Sequence, residues 1–332
     1  MRPPSPHPDL LFQPDLELTR DAIASSVLNH GLLAIGDAWT SAVLMGAFTG
    51  ISQFDAWHER LGIPRATLAD RLSKLSQMGL MRKRAYSQRP LRQGYRLTQA
   101  GLKLYNHVLM FWVWERRWGH RRVALPTQLV HRSCGHAFIP VLACASCHAA
   151  TQVRDLTLTL QVNPQLLAVA TSAGRTGRVA RIDSTGIGLR VDRWSLLIVT
   201  AVILGCHYFD QLLHVLGISS SVLARRLAGM EQSDLLRGES DNHDTRRRFY
   251  RLTPASRDLF GYLVCFSNWA GRHYLHQPSS IRPLHKPAGH LYVPEVVCSA
   301  CNAPVQPWDV HFSAVSPLTQ IETPKEALCP SN

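Results

Sequence analysis

The chain repeats itself, and any fold it adopts must be built twice. Trp39, Phe54-Asp55, Leu61-Gly62-Ile63, Leu68, Arg71-Leu72 and Tyr95-Arg96-Leu97-Thr98 recur as Trp194, Phe209-Asp210, Leu216-Gly217-Ile218, Leu223, Arg226-Leu227 and Tyr250-Arg251-Leu252-Thr253. Every pair is 155 residues apart, so this block aligns without a gap. Further on, Gly135-His136, Pro140, Cys144 and Cys147 recur as Gly289-His290, Pro294, Cys298 and Cys301 at a spacing of 154. Chance does not hold a register over that length, and the 332 residues read as two copies of one unit.

Each copy carries the same order of elements. An apolar helix (39–47; 194–204) precedes a short amphipathic one containing Phe54 and Trp57, or Phe209 and Leu212. The Leu-Gly-Ile turn follows, its glycine suited to a sharp bend. A third helix over 64–78 starts at Pro64, and its counterpart at Ser219. Leu68, Leu72 and Leu75 fall on one face, which leaves Arg65, Thr67, Asp70, Arg71 and Lys74 outward. Two β-prone segments (82–86 and 94–97) predict a hairpin. Thr98 and Thr253 then cap a long aromatic-rich helix ending near 118 and 273. A helix that apolar needs a partner.

The residues 36–50 (GDAWTSAVLMGAFTG), 51–86 (ISQFDAWHERLGIPRATLADRLSKLSQMGLMRKRAY) and 94–114 (GYRLTQAGLKLYNHVLMFWVW) carry a resemblance, repeated over 191–205, 208–238 and 249–270. They resemble the HxlR-type winged helix-turn-helix regulators, relatives of the MarR group, over roughly 20–120 and 175–275. The resemblance implies a bacterial DNA-binding transcription regulator, a repressor in the simplest reading. Its members look like homodimers joined through their terminal helices. Tandem copies then imply a single-chain pseudo-dimer, 98–118 against 253–273. Two departures stand out. Where some relatives sense oxidants through a cysteine near the first helix, this chain has Ser25-Ser26-Val27. Ser233-Asp234 replaces Met78-Gly79, so the second turn into the wing is expected to differ.

A helix-turn-helix places its second helix in the major groove, where the N-terminal residues meet base edges. The recognition helices, about 64–78 and 219–232, offer Arg65, Thr67, Arg71 and Lys74 in copy one and Ser220, Ser221, Arg225 and Arg226 in copy two. The two sets differ, so the preferred site should be asymmetric. The first wing supplies Arg82, Arg84, Arg89 and Arg92, and the second Arg246, Arg247 and Arg248, for phosphates or the minor groove. A solvated hairpin of incidental charge is the bland alternative, and for Arg71 the alternative is an ion pair with Asp70 or Glu59.

The cysteines form a second signal. Cys144 and Cys147, Cys134, and His131 or His136 have the spacing to surround zinc on a small ribbon. In copy two Cys298 and Cys301 persist, Ala288 replaces the equivalent of Cys134, and His285 and His290 could complete a set. Loss of the metal from that copy is the other reading. Regulation by zinc or redox state is the functional reading; four protein ligands, which close a site to substrate, favour a structural clip, and a metal-free hairpin is the remaining alternative.

The expected fold class is mainly α with small β wings (α+β): two tandem winged helix-turn-helix domains, each followed by a small zinc-ribbon-like β module. The boundaries read as a disordered tail over 1–19, domain one over 20–125, module one over 126–165 and a Gly- and Arg-rich linker over 166–188. Domain two covers 189–280, a degenerate module two 281–315, and a tail 316–332. A net charge of +13 and a pI near 9.8 favour a polyanionic partner, double-stranded DNA in this reading. No secretory signal opens the chain and the apolar run 196–206 is too short to span a bilayer, so a cytoplasmic, nucleoid-associated protein without a membrane partner is expected. A small-molecule effector and higher oligomers stay open. An enzyme is disfavoured, because the chain has no HExxH, P-loop, GxGxxG or GxSxG. A protein-interaction or effector-sensing module without specific DNA binding is the alternative. Cys206 and Cys265 read as core.

Overall fold

The computed structural model describes residues 14–89, 91–119, 125–172, 192–240, 247–286 and 289–312. Two helices, α1 (Leu16–Ala24) and α2 (Val27–Ile35), precede the first copy. Residues 16–19 therefore belong to a helix, capped by the side chain of Asp15, and not to the expected tail.

The first copy runs α3 (Ala38–Phe48), α4 (Phe54–Leu61), α5 (Arg65–Gln77), β1 (Met81–Gln88) and β2 (Leu91–Leu97). Asp37 caps α3 by accepting from Thr40 N. Gly62 ends α4 at φ 62°, in the left-handed region where a side chain is strained, and this makes the sharp turn into α5. Leu68, Leu72 and Leu75 are fully buried, as their spacing predicts. Trp57 packs beneath α3 and donates to Val43 O at 3.2 Å. β1 and β2 pair antiparallel from Met81↔Leu97 to Gln88↔Leu91, with an irregularity between Ala85 and Ser87. Tyr95 N donates to Ser52 O at 2.7 Å and ties the wing to the start of α4.

Thr98 caps only a short helix, α6 (Gln99–Leu102), and the chain bends at 103–104 before α7 (Tyr105–Trp118). The single long helix expected from sequence is thus two. Gly101 lies against the Leu80 carbonyl, where a Cβ would sit 2.2 Å from its oxygen, so α6 is held to the base of the wing while α7 leaves for the other copy. After α7 come β3 (Leu129–His131), β4 (Ala137–Phe138), β5 (Pro140–Cys144), β6 (Leu156–Leu160) and α8 (Pro164–Ser172). The expected linker therefore begins as helix, and its remainder from 173 lies outside the described residues.

The second copy repeats the plan: α9 (Arg193–Ile203), α10 (Phe209–Leu216), α11 (Ser220–Gln232), β7 (Leu236–Ser240), β8 (Arg248–Leu252), α12 (Pro254–Asp258), α13 (Phe260–Trp269) and a π-helical turn (Ala270–Leu275). β9 (Ile281–His285), β10 (Pro294–Cys298) and β11 (Val310–Phe312) complete it. Gly217 takes φ 61° where Gly62 takes 62°. Asp234 takes φ 52° where Gly79 takes 70°, so the turn into the second wing keeps its shape despite the change of residue.

The copies share one hydrophobic core. α7 packs on α13, and there His107 meets its own repeat equivalent, Tyr262, with ring centroids 4.0 Å apart. A residue that touches its own equivalent marks a local two-fold relation. A second such pair, Leu142↔Val296, sits at the centre of the β5–β10 ladder. The N-terminal helices reach across as well. α1 packs on α10, with Glu17 Oε1 2.9 Å from His214 Nε2, and Asn29 Oδ1 of α2 accepts from both Nε and Nη2 of Arg193. Ser25 is buried against Ser280, Oγ to Oγ 2.8 Å. Cys206 and Cys265 are core residues, as expected. No single described helix is long and apolar enough to cross a membrane; one bent pair, Val27–Ile35 with Trp39–Phe48, meets that test by length and composition.

The cysteine segments do not form two separate modules. β5 pairs with β10, β6 with β9, and β11 with β3. Leu156↔His285 and Val310↔His131 are equivalent contacts, so the last strand of each cysteine segment pairs with the first strand of the other segment.

Candidate nucleic-acid interface and cysteine–histidine clusters

The third helices expose polar edges of different chemistry. In copy one Arg65 is exposed, its Nη2 2.7 Å from Asp55 Oδ1 and its guanidinium over the Phe54 ring. A surface pair of this kind contributes about 0–1 kcal/mol and is readily exchanged for another anion. Thr67 and Lys74 are half-buried. Ser220, Ser221 and Arg225 are exposed along the first two turns of α11, which Ser219 caps.

Arg71 and Arg226 do not face outward as the sequence suggested. Arg71 Nε lies 2.9 Å from Asp37 Oδ1, and its Nη1 also meets Asp70. Arg226 is buried, with Nη1 2.7 Å from Asp192 Oδ2. Both guanidiniums bind the carboxylate that caps the first helix of their own copy. Helical periodicity counted these arginines with the outward residues, and only the position of the capping carboxylate turns them inward.

The wings differ in electrostatics. Arg82, Arg84, Arg89 and Arg92 are exposed, and no described carboxylate lies within ion-pair distance of them. In the second wing Arg247 pairs with Asp210 at 2.8 Å and lies over the Tyr208 ring, Arg248 pairs with Glu231 at 2.7 Å, and Arg251 with Glu239 at 3.2 Å. Arg246 lies outside the described residues. Among the described residues, Arg82, Arg84, Arg89 and Arg92 of the first wing meet no carboxylate, whereas Arg247, Arg248 and Arg251 of the second do.

The cysteines and histidines gather into two clusters, and each draws on both copies. One holds His131, Cys134, Cys298 and Cys301; the other holds Cys144, Cys147, His285 and His290. Within each, the four donor atoms lie within 4.8 Å of one another, a spacing at which they could hold a metal ion. His131 Nδ1 is 3.6 Å from Cys134 Sγ and 3.3 Å from Cys301 Sγ, and the two sulfurs Cys134 and Cys298 are 4.0 Å apart. In the other cluster Cys144 Sγ is 3.1 Å from His290 Nε2, and Cys147 Sγ 3.2 Å from His285 Nδ1. Burial alone would raise the Cys144 thiol, but the His290 contact and the N–H groups of Val293, Ser146 and Cys147 outweigh it and bring it down to about 6.

Local turns present these ligands in matched ways. His148 N donates to Cys144 O at 2.7 Å and Asn302 N to Cys298 O at 2.8 Å. Both His148 and Asn302 take left-handed backbone, at φ 60° and 57°, directly after the second cysteine of each pair. Gly135 and Gly289 close the histidine turns with N–H bonds to His131 O and His285 O. The grouping corrects three expectations. Cys134 is not joined by Cys144 and Cys147. His136, the equivalent of His290, is exposed and belongs to neither cluster. Copy two is not depleted of candidate donors, since it supplies four of the eight clustered side chains.

Comparison with known proteins agrees with this architecture. The model of the HxlR-like helix-turn-helix family matches twice, over residues 34–123 and 189–278. An uncharacterized HTH-type transcriptional regulator of Mycobacterium tuberculosis and one of Mycobacterium bovis are each 35% identical over 130 residues, 39% of this chain and 82% of each relative. A solved structure from Pseudomonas aeruginosa, of a candidate transcription factor, is 28% identical and covers 36% of this chain and 82% of that one. Its TM-score of 0.26 is too low to add to the argument. With two copies of the fold matched across more than half of its length, the chain belongs to the HxlR-like helix-turn-helix family.

Proposed function

We propose that the protein is a sequence-specific repressor that binds double-stranded DNA as a single-chain pseudo-dimer, with zinc as its cofactor and the nucleoid as its place of action. The observation that carries the reading is the pairing, in copy one, of an exposed polar helix edge with a wing whose four arginines face no described carboxylate. Arg65 and Thr67 of α5, and Ser220, Ser221 and Arg225 of α11, read base edges in the major groove. Arg82, Arg84, Arg89 and Arg92 hold phosphates and set affinity and register. Arg247 and Arg248 join them by exchanging the Asp210 and Glu231 carboxylates for phosphates. Because the two reading edges differ, the operator is asymmetric. A pseudo-dimer seated across a promoter blocks polymerase by occupancy, which is the simplest route to repression.

Selection from a pool of random duplexes, followed by anisotropy titrations across a salt series, tests this. An asymmetric motif should be enriched and bound more than about tenfold tighter than a shuffled duplex. Arg65→Ala and Arg225→Ala should each erase preference in one half of that motif. Replacing Arg82, Arg84, Arg89 and Arg92 with Gln should weaken all duplexes alike and flatten the salt dependence by roughly 0.9 per lost phosphate contact in log–log slope. A pool that never departs from random would sink the sequence-reading function.

A further inference from the structure

We propose that the chain binds two zinc ions, each in a closed tetrahedral site whose ligands are exchanged between the copies: His131 and Cys134 with Cys298 and Cys301, and His285 and His290 with Cys144 and Cys147. The inference deepens the cofactor part of the functional reading and does not depend on DNA binding.

The geometry fits the ion. Zinc–sulfur and zinc–nitrogen bonds of about 2.3 and 2.0–2.1 Å place tetrahedral ligands about 3.8 Å apart for two sulfurs and about 3.6 Å for sulfur and nitrogen. The observed 4.0 Å between the Cys134 and Cys298 sulfurs lies just above the first edge, and the 3.1–3.6 Å between sulfur and nitrogen lie at or below the second, within about 0.5 Å of it. The donor chemistry agrees. Thiolate and imidazole in fours select zinc over hard cations, and no fifth protein position is open to a substrate.

The burial of the histidines is hard to explain otherwise. His131 is 1% exposed and His285 3%, yet the Nδ1 atom of each faces cysteine sulfur, a weak partner for a polar group removed from water. His131 Nε2 has no partner at all among the described residues. A metal at Nδ1 supplies the strong contact that the thiols do not. The cysteine turns are also built to present sulfur inward. Ala300 N donates to Cys298 Sγ at 3.4 Å, and the left-handed residues His148 and Asn302 turn each loop back immediately after its second cysteine.

Exchange gives the ions a specific task. β5 and β10 lie between the two sites and pair across the local two-fold at Leu142↔Val296. Each ion binds one copy's histidine turn to the other copy's cysteine turn, so the two together staple the copies and set how one DNA-binding unit stands against the other.

Metal analysis of the purified full-length chain tests the claim, with stoichiometry as readout. The wild type should carry two zinc ions per chain. His131→Ala and Cys301→Ser should each carry one, and the double variant should still carry one, because both residues serve the same ion. His131→Ala with Cys147→Ser should carry none. If His131 with Cys301 lost both ions while His131 with Cys147 kept one, the exchange would be overturned. Because a variant can fail to fold, alkylation of the wild type is a second measure. Cys147 and Cys301 are exposed to solvent, so only a metal shields them; both should resist alkylation until a chelator is added. Zinc-free protein with promptly alkylated Cys147 and Cys301, or a disulfide between Cys134 and Cys298, would refute the proposal.

Discussion

Arg226 Nη1 stands 2.7 Å from Asp192 Oδ2, with side chains only 6% and 16% exposed, and the repeat equivalents Arg71 and Asp37 also pair, through Nε and Oδ1 at 2.9 Å, with 26% and 31%. Asp192 also accepts from the N–H groups of Trp194 and Ser195. One carboxylate thus caps the first helix of the unit and anchors its third. The third helix is held in place by a charge that its sequence position would assign to DNA.

Arg226→Ala should therefore act on stability. Removing one partner of a buried ion pair leaves Asp192 uncompensated, which costs about 3–5 kcal/mol. Arg225→Ala, on the exposed face beside it, should change stability by less than about 0.5 kcal/mol. Arg71→Ala should fall between, since its pair is wetter. Urea unfolding of the three variants checks the order; a stable Arg226→Ala protein would show that the pair is not structural.

The turn into the wing makes an opposite-signed prediction in the two copies. Asp234 holds a left-handed backbone where copy one has Gly79. A non-glycine residue there carries a strain on the order of 1 kcal/mol, partly offset by the lower chain entropy of the unfolded state. Asp234→Gly should stabilise by up to about 1 kcal/mol, while Gly79→Ala should destabilise by about as much. Thermal melts of both variants decide it, and a destabilised Asp234→Gly protein would point to a role for the Asp234 side chain.

Burial pulls His107 down to about 3, at the contact between α7 and α13. The unfolded chain therefore binds a proton between about pH 6.5 and 3 that the folded chain does not. Stability from this residue is complete above about pH 6.5 and is lost as pH falls, with a slope of about 1.4 kcal/mol per unit. His107→Phe should reduce the slope of unfolding free energy against pH in that window and leave it unchanged above pH 7. Equal slopes in both proteins would mean that His107 is hydrated in the folded state.

Much of this protein was legible in the chain itself. The spacing of Trp39 and Trp194, or of Gly62 and Gly217, announces two winged helix-turn-helix units, because those residues meet local demands: a partly buried aromatic against the core, a left-handed turn, a helix face of leucines at 68, 72 and 75. Cys144 and Cys147 with their equivalents likewise announce metal-ligand spacing. What the repeat cannot decide is which copy a segment serves. β10 pairs with β5, and His285 faces Cys147, but the same strands and turns would meet the same local requirements within a single copy. The same holds for Arg226, whose outward or inward course depends on a carboxylate 34 residues away. Periodicity and turn chemistry are properties of neighbouring residues, whereas exchange between copies and the burial of a charge depend on groups that only the closed core brings together.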